Sequence, residues 1–468
     1  TKFIRMHIYG RKIFSDTENP ITIFYKLKSK FKDISILESV IGGENKGRYS
    51  IIFFNIVENI KIYENYAIKN NKKVKINSPN NYLKEISKLS RVKNHYNLPI
   101  PIPFLIGNMC FDLSKFTLPK LKYDRSKNQI HIPLAHVVRP TNLIIFDNIL
   151  NETHLIEIKN KSQKSQNSLK KIENLIFTNK KVKFEKKIGS PSKFFHHMKK
   201  SDFFKKVNSI KKEISKGEIF QAVLSQRFSS IYKIDPFKFY RALRSINPSP
   251  YLVYLNLKDY QIICSSPETM INVKNKQVTL RPIAGTRKRG STEKEDLKLK
   301  NDLLSDKKEL AEHLMLVDLG RNDVGQISKD NSVKVTEKNI IEYYSHVMHI
   351  VSNVTGVLKK GFSPIDVLYA GLPAGTVSGA PKIRSLEILE EQENINREFY
   401  SGSVFYLDIN GDMDSCINLR TALIKNNKIY AQSGAGIVHD SKPENEYLEC
   451  INKANALFKA YEIAHKIT

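Results

Sequence analysis

From Tyr251 onward the chain sets out strand-length runs in an order that one large class of folds cannot accommodate. Tyr251-Leu-Val-Tyr-Leu255, Gln261-Ile-Ile-Cys264, Met270-Ile-Asn-Val273, Ser403-Val-Phe-Tyr-Leu407 and Lys428-Ile-Tyr-Ala-Gln432 alternate or cluster apolar residues as strands do, with helical periodicity between and after them. That order is not the regular strand-helix-strand repeat of a doubly wound parallel sheet. An α+β fold with packed antiparallel sheets is expected. The N-terminal third has its own strand-like runs, Tyr49-Ser-Ile-Ile-Phe-Phe54, Ile60-Lys-Ile-Tyr63 and Asn142-Leu-Ile-Ile-Phe146, bounded by Gly42-Gly43, Pro79 and Asp147-Asn148. Residues 159–192, rich in Lys, Asn, Gln and Ser, suit a surface connection with one short helix. The expected organisation is therefore an N-terminal domain over 1–158, the connection, and a second domain over 193–468. Its first helix is expected to be capped by Ser201, to carry Phe204, Val207, Ile210 and Ile214, and to end at Gly217.

Composition narrows the classes of function. The 468 residues are 41% hydrophobic, enough for a continuous core, and the formal charge of +29 invites a polyanionic partner. The surplus lysine, however, lies among Asn and Ile in every region, as in Lys69-Asn-Asn-Lys-Lys-Val-Lys75, rather than in a patch. With no nucleic-acid-binding motif in the sequence, a nucleic-acid partner is not expected. Cys110, Cys264, Cys416 and Cys450 are dispersed, which indicates neither a zinc site nor a disulfide framework and suits a reducing cytoplasm. No apolar run approaches the roughly 18 residues that span a bilayer, and no apolar segment of a secretory leader follows the N-terminus.

Two segments share a device. Asp302 to Leu319 has a helical apolar period and carries Glu309 and Glu312 on one face, while a helix starting at Pro443 carries Glu446 and Glu449, with Lys453 a turn further on. One such pair is ordinarily a solvated helix face. Here Glu312 precedes His313 and the mostly apolar Leu314-Met-Leu-Val317, so the helix reads as semi-buried, and paired carboxylates are what Mg²⁺ takes. Three glycine-bearing stretches stand out as well: Arg281-Pro-Ile-Ala-Gly-Thr-Arg-Lys-Arg-Gly290, Ala374-Gly-Thr-Val-Ser-Gly-Ala-Pro-Lys382 and Gln432-Ser-Gly-Ala-Gly-Ile437. Read as loops, they expose amides and the hydroxyls of Thr376 and Ser378 to a small anion; each taken alone is also an ordinary tight turn. No nucleoside-triphosphate loop motif occurs.

Gly217-Glu-Ile-Phe-Gln-Ala-Val-Leu-Ser-Gln-Arg227, Asn247-Pro-Ser-Pro-Tyr251, Ser265-Ser-Pro-Glu268, Pro282-Ile-Ala-Gly-Thr-Arg287, Ala311-Glu-His313, Arg321-Asn-Asp323, Val347-Met-His349, Gly375 to Lys382 and Gly434-Ala-Gly436 follow in order along the chain. Together they resemble the chorismate-utilising enzymes, most closely the anthranilate-forming branch. The resemblance implies large antiparallel sheets packed on each other with helices outside, and conversion of chorismate and ammonia to anthranilate and pyruvate with Mg²⁺. Carried over residue by residue, it implies a metal site of Glu309, Glu312, Glu446 and Glu449, with Glu312 and Glu449 as direct ligands. Glu268 is implied as general acid and His349 as the residue assisting pyruvate elimination, with Thr376 in the same catalytic set. Gly285, Thr286, Thr376, Tyr400, Arg420, Ser433, Gly434, Ala435 and Gly436 are the implied substrate contacts, Arg420 pairing with a carboxylate.

Branch and regulation follow from the same resemblance. Water-adding relatives carry a lysine where this chain has Gln221, and aminodeoxychorismate synthases one where it has Ala284; with neither present, direct attack by ammonia is expected. Leu37-Glu38-Ser39, with Gly43 and Gly47-Arg-Tyr-Ser50, resembles half of a tryptophan feedback pocket, completed by Pro250, Tyr251 and Leu252, where methionine is usual. The sequence carries no Cys-His-Glu amidotransferase domain, so the resemblance implies a separate glutaminase partner.

Overall fold

The computed structural model describes residues 5–39, 47–89, 91–118, 120–159, 166–178, 190–344 and 347–467. Gly42, Gly43 and much of the 159–192 connection lie outside the described residues; within it, Gln166–Phe177 forms the expected short helix.

Among the described residues strand pairing is antiparallel apart from one parallel pair, Arg5–Ile13 with Arg91–Asn94. Two arms of sheet spread from the long strand Ala135–Asp147. The first runs through Tyr49–Ile62, Ser35–Glu38, Tyr251–Asn256, Gln261–Ser266, Thr421–Lys425, Lys428–Ile437 and Gln221–Ile231. The second runs through Pro103–Met109, Ser403–Asp408, Met413–Ile417, Asn272–Lys274, Gln277–Leu280 and Val347–Val357, the last flanked by Ile283–Lys288 and Lys334–Tyr343. N-terminal strands are thus hydrogen-bonded into both arms, Glu38 opposite Leu252 in one and Met109 opposite Ser403 in the other.

The main core lies between the arms, where Phe53, Ile106, Leu143 and Val253 meet Val273, Val354 and Phe405. A second core covers the first arm's outer face with the helices Pro20–Lys28, Pro236–Ile246 and Pro443–Ala464. Phe24 stacks on Phe237 there with ring centroids 3.8 Å apart, and both are fully buried. Removing either ring costs about 3–5 kcal/mol, so this contact fastens the N-terminal helix to the second half of the chain. The α+β expectation of packed antiparallel sheets with helices outside holds. Among the described residues, no helix is long and apolar enough to cross a membrane.

Three local expectations need correction. Ser201 does not cap its helix, which begins at Lys200 with Lys199 at the cap position. The segment Asp302 to Leu319 is two helices, Glu293–Ser305 and Lys307–Gly325, because the Asp306 carboxylate takes the amides of Lys308 and Glu309 at 3.0 and 3.2 Å and so caps a fresh start. Two of the glycine stretches are strand rather than loop. Gly434, Ala435 and Gly436 pair with Ser225, Leu224 and Val223, and Ile283–Lys288 pairs with Val347–Val357 around a bulge at Gly285, where φ is +68°. Glycine suits that bulge, since L side chains avoid positive φ.

Candidate active site

Glu268 follows the strand Gln261–Ser266 and lines a narrow recess with Gly375, Thr376, Pro282 and Gly320. Burial pushes its carboxyl up to about 7; the Thr376 hydroxyl, then Lys453 and Arg420, pull the other way. Near neutral pH it therefore holds a proton that it can donate. The Thr376 hydroxyl is buried without a full hydrogen bond to any described residue, which leaves it available to a ligand.

Arg420 reaches the same place from a left-handed residue, φ +46°, between Met413–Ile417 and Thr421–Lys425. Its guanidinium has no ion pair among the described residues, and burial lowers its pKa while Glu268 raises it. An unpaired, largely desolvated arginine beside a protonated acid is an anion site. Tyr400, buried, points its hydroxyl at Gly434, where a Cβ would sit 3.1 Å from it. Gly434 and Gly436 thus keep the strand's surface open; a Cβ on Gly436 would also meet Gln221 Nε2 at 2.5 Å. Ser433 turns its hydroxyl away from the open surface to the Cys450 carbonyl at 2.7 Å, so only its backbone remains for a ligand.

His349 lies on the strand Val347–Val357, opposite Thr286 on one side and Glu342 on the other. Its Nδ1 donates to the Gly285 carbonyl at 2.9 Å, with the Thr286 hydroxyl at 3.0 Å. The bulge turns that carbonyl toward the ring and so sets the tautomer. Nε2 has no partner among the described residues, and burial holds the ring neutral by lowering its pKa. A neutral imidazole with one nitrogen pinned and the other bare is a proton acceptor.

The two glutamate pairs come within electrostatic reach of each other. Burial, then Glu309 and Glu449, push the Glu312 carboxyl up; burial and Glu449 do the same to Glu446, against Ser441, Lys453 and Lys308. Glu449 is drawn to Lys453 at 2.6 Å, and Lys453 also donates to the Gly434 carbonyl at 3.1 Å. Among the described residues no three acidic, histidine or cysteine side chains converge closely enough to enclose a metal ion. The donor set nevertheless suits Mg²⁺, which keeps several waters, takes one or two protein carboxylates and is completed by a substrate's own oxygens. Mutual repulsion among these glutamates is what a divalent cation relieves.

The basic residues of Arg281 to Gly290 are mostly consumed internally. Arg281 pairs with Glu342, Arg287 with Asp302 and Asp306 at 2.7 and 2.8 Å, and Arg289 with Asp296 at 2.6 Å. Ala284, buried, faces Ile350 one residue before the bulge. Sequence reading missed two buried pairs: Lys382 on Asp323 at 2.7 Å, which joins two motifs at the recess, and Arg227 on Glu398 at 3.1 Å, which ties a motif to a residue far along the chain.

A large cavity, about 930 Å³, lies on the other side of the Pro267–Thr269 segment. Leu37, Glu38, Ser39, Pro250 and Tyr251 all line it, with Arg48, Tyr406 and Asp414. Gly47 packs against Ser39 so closely that a Cβ there would sit 1.9 Å from its hydroxyl. Leu252 does not face the cavity. Strand alternation sends Tyr251 and Val253 inward and buries Leu252 in the helix-covered core. The Glu38 carboxylate is held by Arg244 at 2.8 Å and by the Tyr240 hydroxyl. Burial pushes the Asp414 carboxyl up to about 6, with the Tyr251 hydroxyl donating to it at 3.0 Å. Aromatic walls, ion-paired arginines and carboxyls together suit an aromatic amino acid.

The family of chorismate binding enzymes matches residues 38–459. Anthranilate synthase component 1 of Aquifex aeolicus (strain VF5) is 42% identical, the alignment covering 97% of this chain and 94% of that protein. The protein of the same name from Acetivibrio thermocellus is 41% identical over 97% and 95%. The crystal structure of anthranilate synthase component I from Streptococcus pneumoniae TIGR4 superposes with a TM-score of 0.80 at 38% identity, covering 96% of this chain and 99% of that one. The menaquinone-specific isochorismate synthase from Escherichia coli superposes with a TM-score of 0.72 at 17% identity, over 98% and 95%, a likeness of fold alone.

Proposed function

Because the chain belongs to the chorismate binding enzyme family, we propose that it converts chorismate and ammonia to anthranilate and pyruvate, as the synthase subunit of an anthranilate synthase. The observation that carries this reading is that one largely desolvated arginine, Arg420, acts electrostatically both on a carboxyl protonated near neutrality, Glu268, and on a neutral imidazole, His349, whose Nδ1 is pinned. Arg420 and the Thr376 hydroxyl bind substrate oxygens. Glu268 gives its proton to the departing ring hydroxyl while the C–N bond forms, and 2-amino-2-deoxyisochorismate results. His349 Nε2 then takes the ring proton as the enolpyruvyl C–O bond breaks, which releases pyruvate and leaves the aromatic ring. Mg²⁺, held by Glu312 and Glu449 with Glu309 and Glu446 behind them, supplies positive charge for a substrate carboxylate when bound.

Gln221 and Ala284 stand where other branches of the family are expected to carry a lysine, and neither can supply an amine to activate water or attack the ring. Ammonia remains the nucleophile. At neutral pH it is mostly protonated, so a glutaminase partner, the counterpart implied by a component 1, is proposed to deliver it. Product separation on a column tests the branch: anthranilate and pyruvate in equal amounts support it, and isochorismate or aminodeoxychorismate would reject it.

The Glu268 carboxyl sets a pH limb. Its raised pKa keeps the acid form present up to about 7, so kcat/KM for chorismate falls as pH rises through about 7 when un-ionised ammonia is held constant. The limb in kcat lies higher, since a bound dianion further opposes ionisation. Rate profiles of the enzyme and of Glu268→Asp check this; a free-enzyme limb left at the ordinary carboxylate range would contradict it.

The 930 Å³ cavity is proposed to take L-tryptophan as feedback inhibitor. Ser39→Phe fills its mouth and is expected to raise the concentration of tryptophan needed for half-inhibition by at least about tenfold, roughly the 1.4 kcal/mol that a blocked contact removes, while kcat changes less than twofold. Inhibition curves of the two proteins decide it.

A further inference from the structure

The cavity and the catalytic imidazole share a wall, and that wall is Tyr344. Its ring lines the cavity and meets the His349 ring edge-on, with centroids 5.5 Å apart and planes at 67°. Three contacts hold it in place. The Tyr344 hydroxyl donates to Glu342 at 2.9 Å, Arg281 grips the other oxygen of Glu342, and Arg289 donates to the Tyr344 carbonyl at 2.7 Å. Both arginines line the cavity as well, and both come from the stretch whose Gly285 and Thr286 hold the far side of the imidazole. The ten residues from Arg281 to Gly290 therefore grip Tyr344 and His349 together.

We propose that Tyr344 is a positioning residue for His349, and that a ligand in the cavity slows catalysis by displacing it. A carboxylate-bearing ligand competes with Glu342 and the Tyr344 carbonyl for Arg281 and Arg289, which frees the ring that confines the imidazole. His349 then keeps its Nδ1 bond but loses the face that fixes its swing, and reacting atoms tolerate little misplacement.

The inference rests on the anthranilate synthase reading. It is tested with Tyr344→Leu, which removes the ring, and Tyr344→Phe, which removes only the hydroxyl, each assayed with chorismate, Mg²⁺ and ammonium chloride, with and without L-tryptophan. Expected for Tyr344→Leu is a fall in kcat of roughly tenfold with KM for chorismate within about twofold. Tyr344→Phe is expected to recover most of the lost turnover, and the residual activity of Tyr344→Leu no longer responds to tryptophan at a concentration that halves the parent's rate. Unchanged kcat in Tyr344→Leu, a loss expressed in KM, or a phenylalanine variant as slow as the leucine one overturns the positioning role. A leucine variant inhibited like the parent, or a parent indifferent to tryptophan, overturns the link to the cavity. A parent that makes no anthranilate overturns the functional reading instead.

Discussion

Glu268→Gln is expected to lower chorismate turnover by about 10²–10⁴-fold, the range that positioned general acids contribute. Glutamine keeps the shape of the side chain, so Arg420 and Thr376 stay where they are and KM for chorismate should move little. What disappears is a proton available near neutrality, which burial secures by pushing the carboxyl up to about 7. The loss belongs in kcat and in kcat/KM equally, the signature of an interaction made only in the transition state. Initial rates over a range of chorismate concentrations, with un-ionised ammonia fixed, measure it. A variant within about threefold of the parent would mean that the hydroxyl leaves without this acid.

His349→Ala should separate the two halves of the reaction. If Nε2 serves the elimination, chorismate is still consumed and an amino intermediate accumulates, while pyruvate release falls by roughly 10²-fold or more. The geometry is specific about why. The Gly285 carbonyl at 2.9 Å fixes the proton on Nδ1, and burial keeps the ring neutral. Following chorismate absorbance and pyruvate in the same sample tests this. Equal loss of both would place His349 in the first step.

The sequence disclosed the site's membership better than its shape. Glu268, His349 and Thr376 come from separate strands and turns, yet each stands in a legible motif; Glu268 and Thr376 line one recess, and Arg420, which stands in none of those motifs, acts electrostatically on both Glu268 and His349. Their surroundings were less legible, because they depend on pairing across long intervals. The stretch from Arg281 to Gly290 reads as a loop open to a small anion; its arginines are balanced by Asp296, Asp302, Asp306 and Glu342, and strand pairing makes its glycine a bulge. Gly434 to Gly436 was read as a loop for the same reason. Glycine signals backbone access without saying whether a turn or a neighbouring strand supplies it. Leu252 entered the cavity set through its place beside Pro250 and Tyr251, although strand alternation must turn it to the opposite face. The helix break at Asp306 was open to reading, since Ser305-Asp306 is a cap signal inside an otherwise helical period. Arg227 and Glu398, 171 residues apart, gave no local sign of pairing.

The large cavity shows the limit from the other side. Its N-terminal lining, Leu37 to Ser39, and its C-terminal lining, Pro250 and Tyr251, were legible as motifs, but Asp414 and Tyr406 were not. They arrive through the second arm of the sheet, whose strand order no single sequence reveals. Gly43 of the same motif lies outside the described residues.

The most direct test of the central claim uses the purified chain alone. Chorismate, Mg²⁺ and several concentrations of ammonium are mixed at one fixed, mildly alkaline pH without any glutaminase, and anthranilate fluorescence is followed. The predicted result is a signal that requires Mg²⁺ and tracks the concentration of un-ionised ammonia. Folded protein that consumes chorismate with no fluorescence, or fluorescence indifferent to ammonia, would contradict it.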